Sequence, residues 1–169
     1  MSSIVAYRIA VMHDPGETLR RELHQSQPFR SRAQEATIAI LRTADAVRRR
    51  ISAAVEPEGI TLQQYNVLRI LRGARGQPMP TLKIAERLIE QAPCITRLLD
   101  RLEAKGLVRR ERCAEDRRQV LCSITDEGLQ LLARLDGPVD EADEALTRQL
   151  DPAELETLLR MLERVRAGS

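Results

Sequence analysis

Apolar residues recur at helical spacing through most of the chain. Ile40, Ala44, Val47, Ile51 and Ala54 step by four, three, four and three, which draws one stripe along a long helix. Ser31 and Gln34 form its capping-box start, and Pro57 with Gly59 stops it. Thr61 and Gln64 repeat the start signal for a helix with Tyr65, Leu68 and Leu71 along one side. Arg72 to Pro80 reads as a loop carrying Gly73, Gly76, Pro78 and Pro80. Thr81 then caps a short helix with Leu82, Ala85 and Leu88 inward. Pro93 suits the first turn of the next helix, where its missing N–H costs nothing. Ile95, Leu98, Leu99 and Leu102 follow at i, i+3, i+4 and i+7, before Lys105 in the last turn and Gly106 just past it.

The period then shortens to two. Val108, Arg110 and Arg112 alternate with Leu107, Arg109 and Glu111; Val120, Cys122 and Ile124 alternate with Leu121 and Ser123. The spacing predicts a two-stranded hairpin with a polar tip over residues 114–118. Thr125 caps a further helix, with Asp126 and Glu127 at its positive end, and Gly137-Pro138 is expected to kink or break it. Asp151-Pro152-Ala153-Glu154 opens a final helix with Leu155, Leu158, Leu159, Leu162 and Val165 as its stripe. Residues 1–30 read as an extension, with a turn at His13-Asp14-Pro15-Gly16, a short helix from Glu17 to Gln25, and Gln27-Pro28 after it.

A short helix, a turn, a second helix and then a hairpin make a winged helix-turn-helix. The expected fold class is mainly α with a small β-hairpin wing (α+β). Residues 60–125 would form this lobe, and residues 31–56 with 126–169 a helical region beside it in the sequence. If the Leu98-Leu99-Leu102 side faces the core, Gln91, Cys94, Thr96, Arg97 and Arg101 are left outward or at the flanks. Those donors suit base edges and phosphates, and Thr81 at the start of the first helix of the pair joins them. Arg117 and Arg118 occupy the hairpin tip, where a guanidinium can enter a narrow minor groove.

The net charge of +2 hides this pattern. Residues 97–118 hold eight bases against five acids, about +3, whereas residues 140–156 hold seven acids against Arg148 alone, about −6. Aromatics are only Tyr7, Phe29 and Tyr65, which disfavours single-strand stacking and leaves double-stranded DNA as the expected partner.

At these residues the sequence resembles the MarR family of bacterial transcriptional regulators. The segment from Thr96 to Val108, then Asp116-Arg117-Arg118, then Leu121 to Gly128, occur in the family's order and spacing. The resemblance runs from about residue 31 to 166. It implies a repressor acting as a homodimer joined through the N- and C-terminal helices, with residues 31–56 and 126–169 as the helical dimerisation region. It implies a recognition helix in the major groove, a wing in the minor groove and a palindromic operator. It further implies release by a small aromatic or lipophilic effector or by cysteine oxidation. Thr96 and Arg97 match recognition-helix positions. Arg118 matches the wing arginine, and Asp116 the aspartate that pairs with an arginine, for which Arg101 is the first candidate. The helix start, Gln91-Ala92-Pro93-Cys94, departs from the serine or aspartate of many relatives.

Several residues carry two readings. Cys94, in the first turn of the recognition helix, is either a small residue tolerated beside DNA or an oxidation switch. Tyr65 is either core or part of an effector crevice, with Arg110 a neighbouring partner for an effector carboxylate. Cys113 and Cys122 fall on the two wing strands as packing residues. Three cysteines in no disulfide-scaffold spacing fit the cytosol, and no apolar run reaches the roughly 20 residues of a membrane span. No nucleophile-base array, phosphate loop or ligand cluster supports an enzyme, a cofactor or a metal. A winged-helix protein-contact module without DNA binding is the alternative, and the wing arginines argue against it.

Overall fold

The computed structural model describes residues 15–90 and 94–168. The chain divides into two compact units, residues 1–47 and 48–169.

In the first unit, α1 spans Pro15–Glu22. It ends three residues before Gln25, because His24 takes a positive φ and the Gln25 N–H turns back to the Arg20 carbonyl. Helix α2 spans Arg32–Val55 and runs from this unit into the next. Ser31 Oγ accepts the Gln34 N–H at 3.1 Å, as a cap should; Gln34 Oε1 accepts from the Arg30 N–H at 2.8 Å instead of closing the box on Ser31. Of the expected stripe, Ile40 and Ala44 are exposed, while Ile51 and Ala54 pack against the core of the second unit.

The second unit holds the end of α2, a 3₁₀ turn at Glu56–Glu58, and α3 at Leu62–Gly73. It continues with β1 (Met79–Pro80), α4 (Thr81–Glu86) and α5 (Ile95–Ala104). It closes with β2 (Val108–Arg112), β3 (Val120–Ile124), α6 (Asp126–Thr147) and α7 (Pro152–Ala167). Capping boxes at Thr61–Gln64 and Asp151–Glu154 form as expected. One core gathers Val55, Tyr65, Leu68, Leu71, Ile84, Leu99, Leu102, Cys122, Leu132 and Leu135. Gly106 adopts φ +70° just past α5, and the Leu107 N–H returns to the Leu102 carbonyl at 3.0 Å; only this left-handed step turns the chain straight from helix into wing.

Three expectations change. The sheet has three strands, ordered β1-β3-β2, because Met79 and Pro80 pair with Cys122 and Leu121. The proline is tolerated because β1 is an edge strand. In α4 Leu82 is 69% exposed, and Ile84 is the fully buried residue. Pro138 does not break α6, which runs unbroken over 22 residues. The ring deletes one backbone bond, a cost of about 3 kcal/mol. Burial of Leu131, Leu132 and Leu135 before it and Val139 and Ala142 after it offsets that cost.

Candidate nucleic-acid interface

Helix α5 is built to show one face. Leu99 and Leu102 are fully buried and Ile95 and Leu98 half-buried, which turns Thr96, Arg97 and Arg101 to solvent. Cys94 is the exposed N-cap residue, so the helix starts one residue after it. Gln91 and Pro93 lie outside the described residues. The segment just after α4 is anchored at two points that sequence periodicity does not reveal. The Ile89 N–H donates to Asn66 Oδ1 on α3 at 3.2 Å, and Arg48 Nε on α2 donates to Glu90 Oε1 at 2.6 Å.

Thr81 is the first residue of α4, not its cap; Pro80 holds that position. The Thr81 hydroxyl donates to the Val120 carbonyl at 3.2 Å and lies 3.7 Å from the Cys122 sulfur, so it ties the helix pair to β3.

The wing has its tip at residues 113–119. Cys113 lies one residue beyond β2, its N–H bonded to the Gln119 carbonyl. The Gln119 N–H reaches the Asp116 carbonyl at 2.9 Å, closing a turn with Arg117 and Arg118 at its corners. Asp116 Oδ1 accepts the Arg118 N–H at 3.1 Å and Nε at 3.4 Å, and Oδ2 accepts from the Gln119 amide at 3.2 Å. Asp116 therefore pairs within the tip, with Arg118 and not with Arg101, because an Asx-type contact two residues away costs less chain ordering than a distant one. The Arg118 backbone N–H, first, and the Gln119 amide hold the Asp116 carboxyl below the ordinary aspartate range. Arg118 itself is 93% exposed, so the tip is ordered while its guanidinium stays open to solvent. Arg109, Arg112 and Arg117 are exposed as well.

Tyr65 and Arg110 are the two residues that carry an effector reading, and Tyr65 takes its core alternative. Tyr65 is buried in the core, with Arg69 5.8 Å from the ring centre, and burial pushes its phenol up. Arg110 is not an open cation. Its guanidinium reaches Glu103 at 2.6 and 2.8 Å and Asp100 at 2.7 Å, and the hydrogen bond to Glu103 leads the causes that raise its pKa. Cys122 is fully buried on β3, and burial pushes its thiol up. Among the described residues no helix is long and apolar enough to cross a membrane.

A helix pair seated on a small core, followed by an antiparallel hairpin with an arginine tip, defines a winged helix-turn-helix. A model of the MarR family matches residues 60–120. The homoprotocatechuate degradative operon repressor of Escherichia coli is 31% identical over 127 residues, spanning 75% of this chain and 84% of that protein. The crystal structure of a MarR transcription factor from Planctomyces limnophilus is 41% identical, with a TM-score of 0.63, over 80% of this chain and 98% of that one. A mutant MarR from Escherichia coli, solved in complex with operator DNA, is 28% identical, with a TM-score of 0.69, over 75% and 90% of the two chains. The chain belongs to the MarR family, whose members are transcriptional regulators and not enzymes.

Proposed function

We propose that the chain is a cytoplasmic repressor that binds duplex DNA as a homodimer on a palindromic operator. Thr96, Arg97 and Arg101 on α5 take the major groove, with Cys94 at the head of that helix, and Gln91 joins them as a donor. Arg117 and Arg118 take the minor groove, and Thr81 and Asp116 position these elements. Two-fold symmetry sets the half-sites about one helical turn apart. The observation that carries the reading is the wing tip: Asp116 orders the turn, yet Arg118 stays 93% exposed. A guanidinium held out on a thin loop suits the strong negative potential of a narrow minor groove. The repressor relative and the operator-bound relative support the same reading.

The dimer reading rests on α7. None of its residues is buried, and Leu158, Leu159, Met161 and Val165 are 39–58% exposed in the single chain. Such a stripe needs a cover. Release follows from a small aromatic or lipophilic effector that alters the spacing of the two reading helices, or from oxidation of the exposed Cys94.

Duplexes selected from a random-sequence library by the wild-type protein provide the probe. Fluorescence anisotropy across salt concentrations then compares wild type with Arg118→Ala. The variant is expected to bind more weakly and with a shallower salt dependence, the slope falling by about 0.9 for each phosphate that is no longer neutralised. An unchanged slope refutes the wing role, and recovery of no duplex refutes the whole reading.

A further inference from the structure

The wing-tip arginines are proposed for DNA, but Arg110 is held within the protein. It lies at the middle of β2, opposite Cys122 on β3, with its side chain only 22% exposed. Glu103, in the last turn of α5, meets it three times. Glu103 Oε2 accepts from Nε at 2.8 Å and Nη2 at 2.6 Å, and Oε1 accepts the Arg110 backbone N–H at 3.2 Å. Asp100, one turn earlier on α5, lies 2.7 Å from the same guanidinium. Two carboxylates of the reading helix thus grip one arginine of the wing.

We propose that Arg110 is a positioning residue: with Glu103 and Asp100 it clamps the wing to the recognition helix and so fixes the distance between the two DNA-reading elements. The inference rests on the DNA-binding reading above. Both acids stand on the helix that faces the polyanion, where each unpaired negative charge would oppose binding. Their presence there is explained if they hold the wing. Arg110 supplies the charge they need, and its own donors are taken up by them instead of by phosphate. The clamp is specific in form: Nε and Nη2 converge on one Glu103 oxygen while the Arg110 backbone N–H holds the other, which fixes orientation as well as distance in a way that the point charge of lysine would not.

The clamp reverses the sign expected from simple electrostatics. Removing an acid from a DNA-facing helix should tighten binding; removing a clamp acid should loosen it. Glu103→Gln is nearly isosteric, and Asp100→Asn sits on the exposed side of the pair, so at least one is expected to keep the fold, as checked by circular dichroism. Anisotropy with the selected duplex is expected to show Glu103→Gln weaker than wild type by about three- to tenfold, a loss of about 0.7–1.4 kcal/mol. Asp100→Asn is expected to be weaker by a smaller factor. In the Arg110→Gln background the acid has nothing left to hold, so adding Glu103→Gln is expected to bring no further loss and to leave binding equal or tighter, because only its charge still acts. The loss is expected on the selected duplex and not on a scrambled one, which separates lost geometry from lost active protein. Equal or tighter binding by Glu103→Gln in the otherwise wild-type protein, or a further loss when it is added to Arg110→Gln, overturns the clamp while leaving the DNA-binding reading intact. Failure of wild type to bind any duplex in a salt-dependent way overturns that reading, and the clamp with it.

Discussion

Gly128 occupies the third position of α6 under the wing, and its replacement by alanine tests the packing there. A Cβ at this position would stand 2.5 Å from the Leu107 carbonyl oxygen and 2.7 Å from Ile124 Cγ1. The Leu107 carbonyl cannot easily retreat, because it accepts the Thr125 N–H at 3.1 Å. The Thr125 side chain in turn caps Gly128 and donates to the Gly106 carbonyl at 2.7 Å. In favour of alanine stand about 1 kcal/mol of helix propensity and about 0.8 kcal/mol for a buried methyl. Against it stand overpacking of about 1–3 kcal/mol and about 1 kcal/mol for a strained backbone hydrogen bond. A backbone contact at 2.5 Å belongs at the upper end of the overpacking range, so the net expectation is a loss of about 1–2 kcal/mol. That corresponds to a fall in melting temperature of about 3–8 °C for a chain of this size. Gly73→Ala is the control, since nothing lies within 4 Å of its added Cβ, and it should be neutral or stabilising. Urea and thermal unfolding by far-ultraviolet circular dichroism measure both, as the chain has no tryptophan to report by fluorescence. A Gly128→Ala protein as stable as wild type would show that the junction of wing and α6 is loosely packed.

Leu99→Ala, at a fully buried position, should cost about 2–5 kcal/mol, a large part of a total of about 5–15 kcal/mol, seen as a lower urea midpoint. Iodoacetamide should label Cys94 first, Cys113 more slowly and Cys122 only on unfolding, as read by peptide mass spectrometry; early labelling of Cys122 would contradict its burial. The raised Cys122 value also sets a sign: its contribution to stability is complete below the ordinary thiol value and is lost as pH rises through the folded one. Asp116 runs the other way. Its lowered carboxyl keeps the tip ordered above the ordinary aspartate range, and that order should fade as pH falls through the folded value, visible in the Arg118 amide resonance. Glutamate at Leu159 should dissociate the proposed dimer in light scattering while leaving the monomer folded, because that side chain is 55% exposed.

The reading helix was legible in the sequence because Ile95, Leu98, Leu99 and Leu102 leave no other face for the core, and Gly106 ends the helix unambiguously. Thr61 with Gln64 and Asp151 with Glu154 carry their caps within four residues, so local chemistry specifies them fully. Elements with too few residues to establish a period were not legible. A two-residue β1 has no alternation, and in the six-residue α4 the choice between Leu82 and Ile84 depends on what lies underneath. Tertiary burial also overrode the local signal at Pro138. At the site, arginine exposure on α5 and at the wing tip followed from pattern, but partner choice did not. Asp116 found Arg118 two residues away, and Arg110 found Glu103 across a helix-strand junction where neither period applies.

The continuity of α6 through Pro138 has a mechanical side. Its first half is bolted to the reading lobe: Leu131, Leu132 and Leu135 lie in the core, and Asp136 receives both its hydrogen bonds from Arg72 at 2.9 Å. Beyond Ala142 no residue of the helix is buried, so its last five residues extend past the core as an arm. From Ala142 to Thr147 that arm is about 8 Å long at about 1.5 Å per residue. A hinge at Pro138 would absorb a push on the arm; an unbroken rod converts it into rotation of the lobe. By the same leverage, a tilt of about 5° in the lobe moves the far end of the arm by about 0.7 Å relative to Ala142.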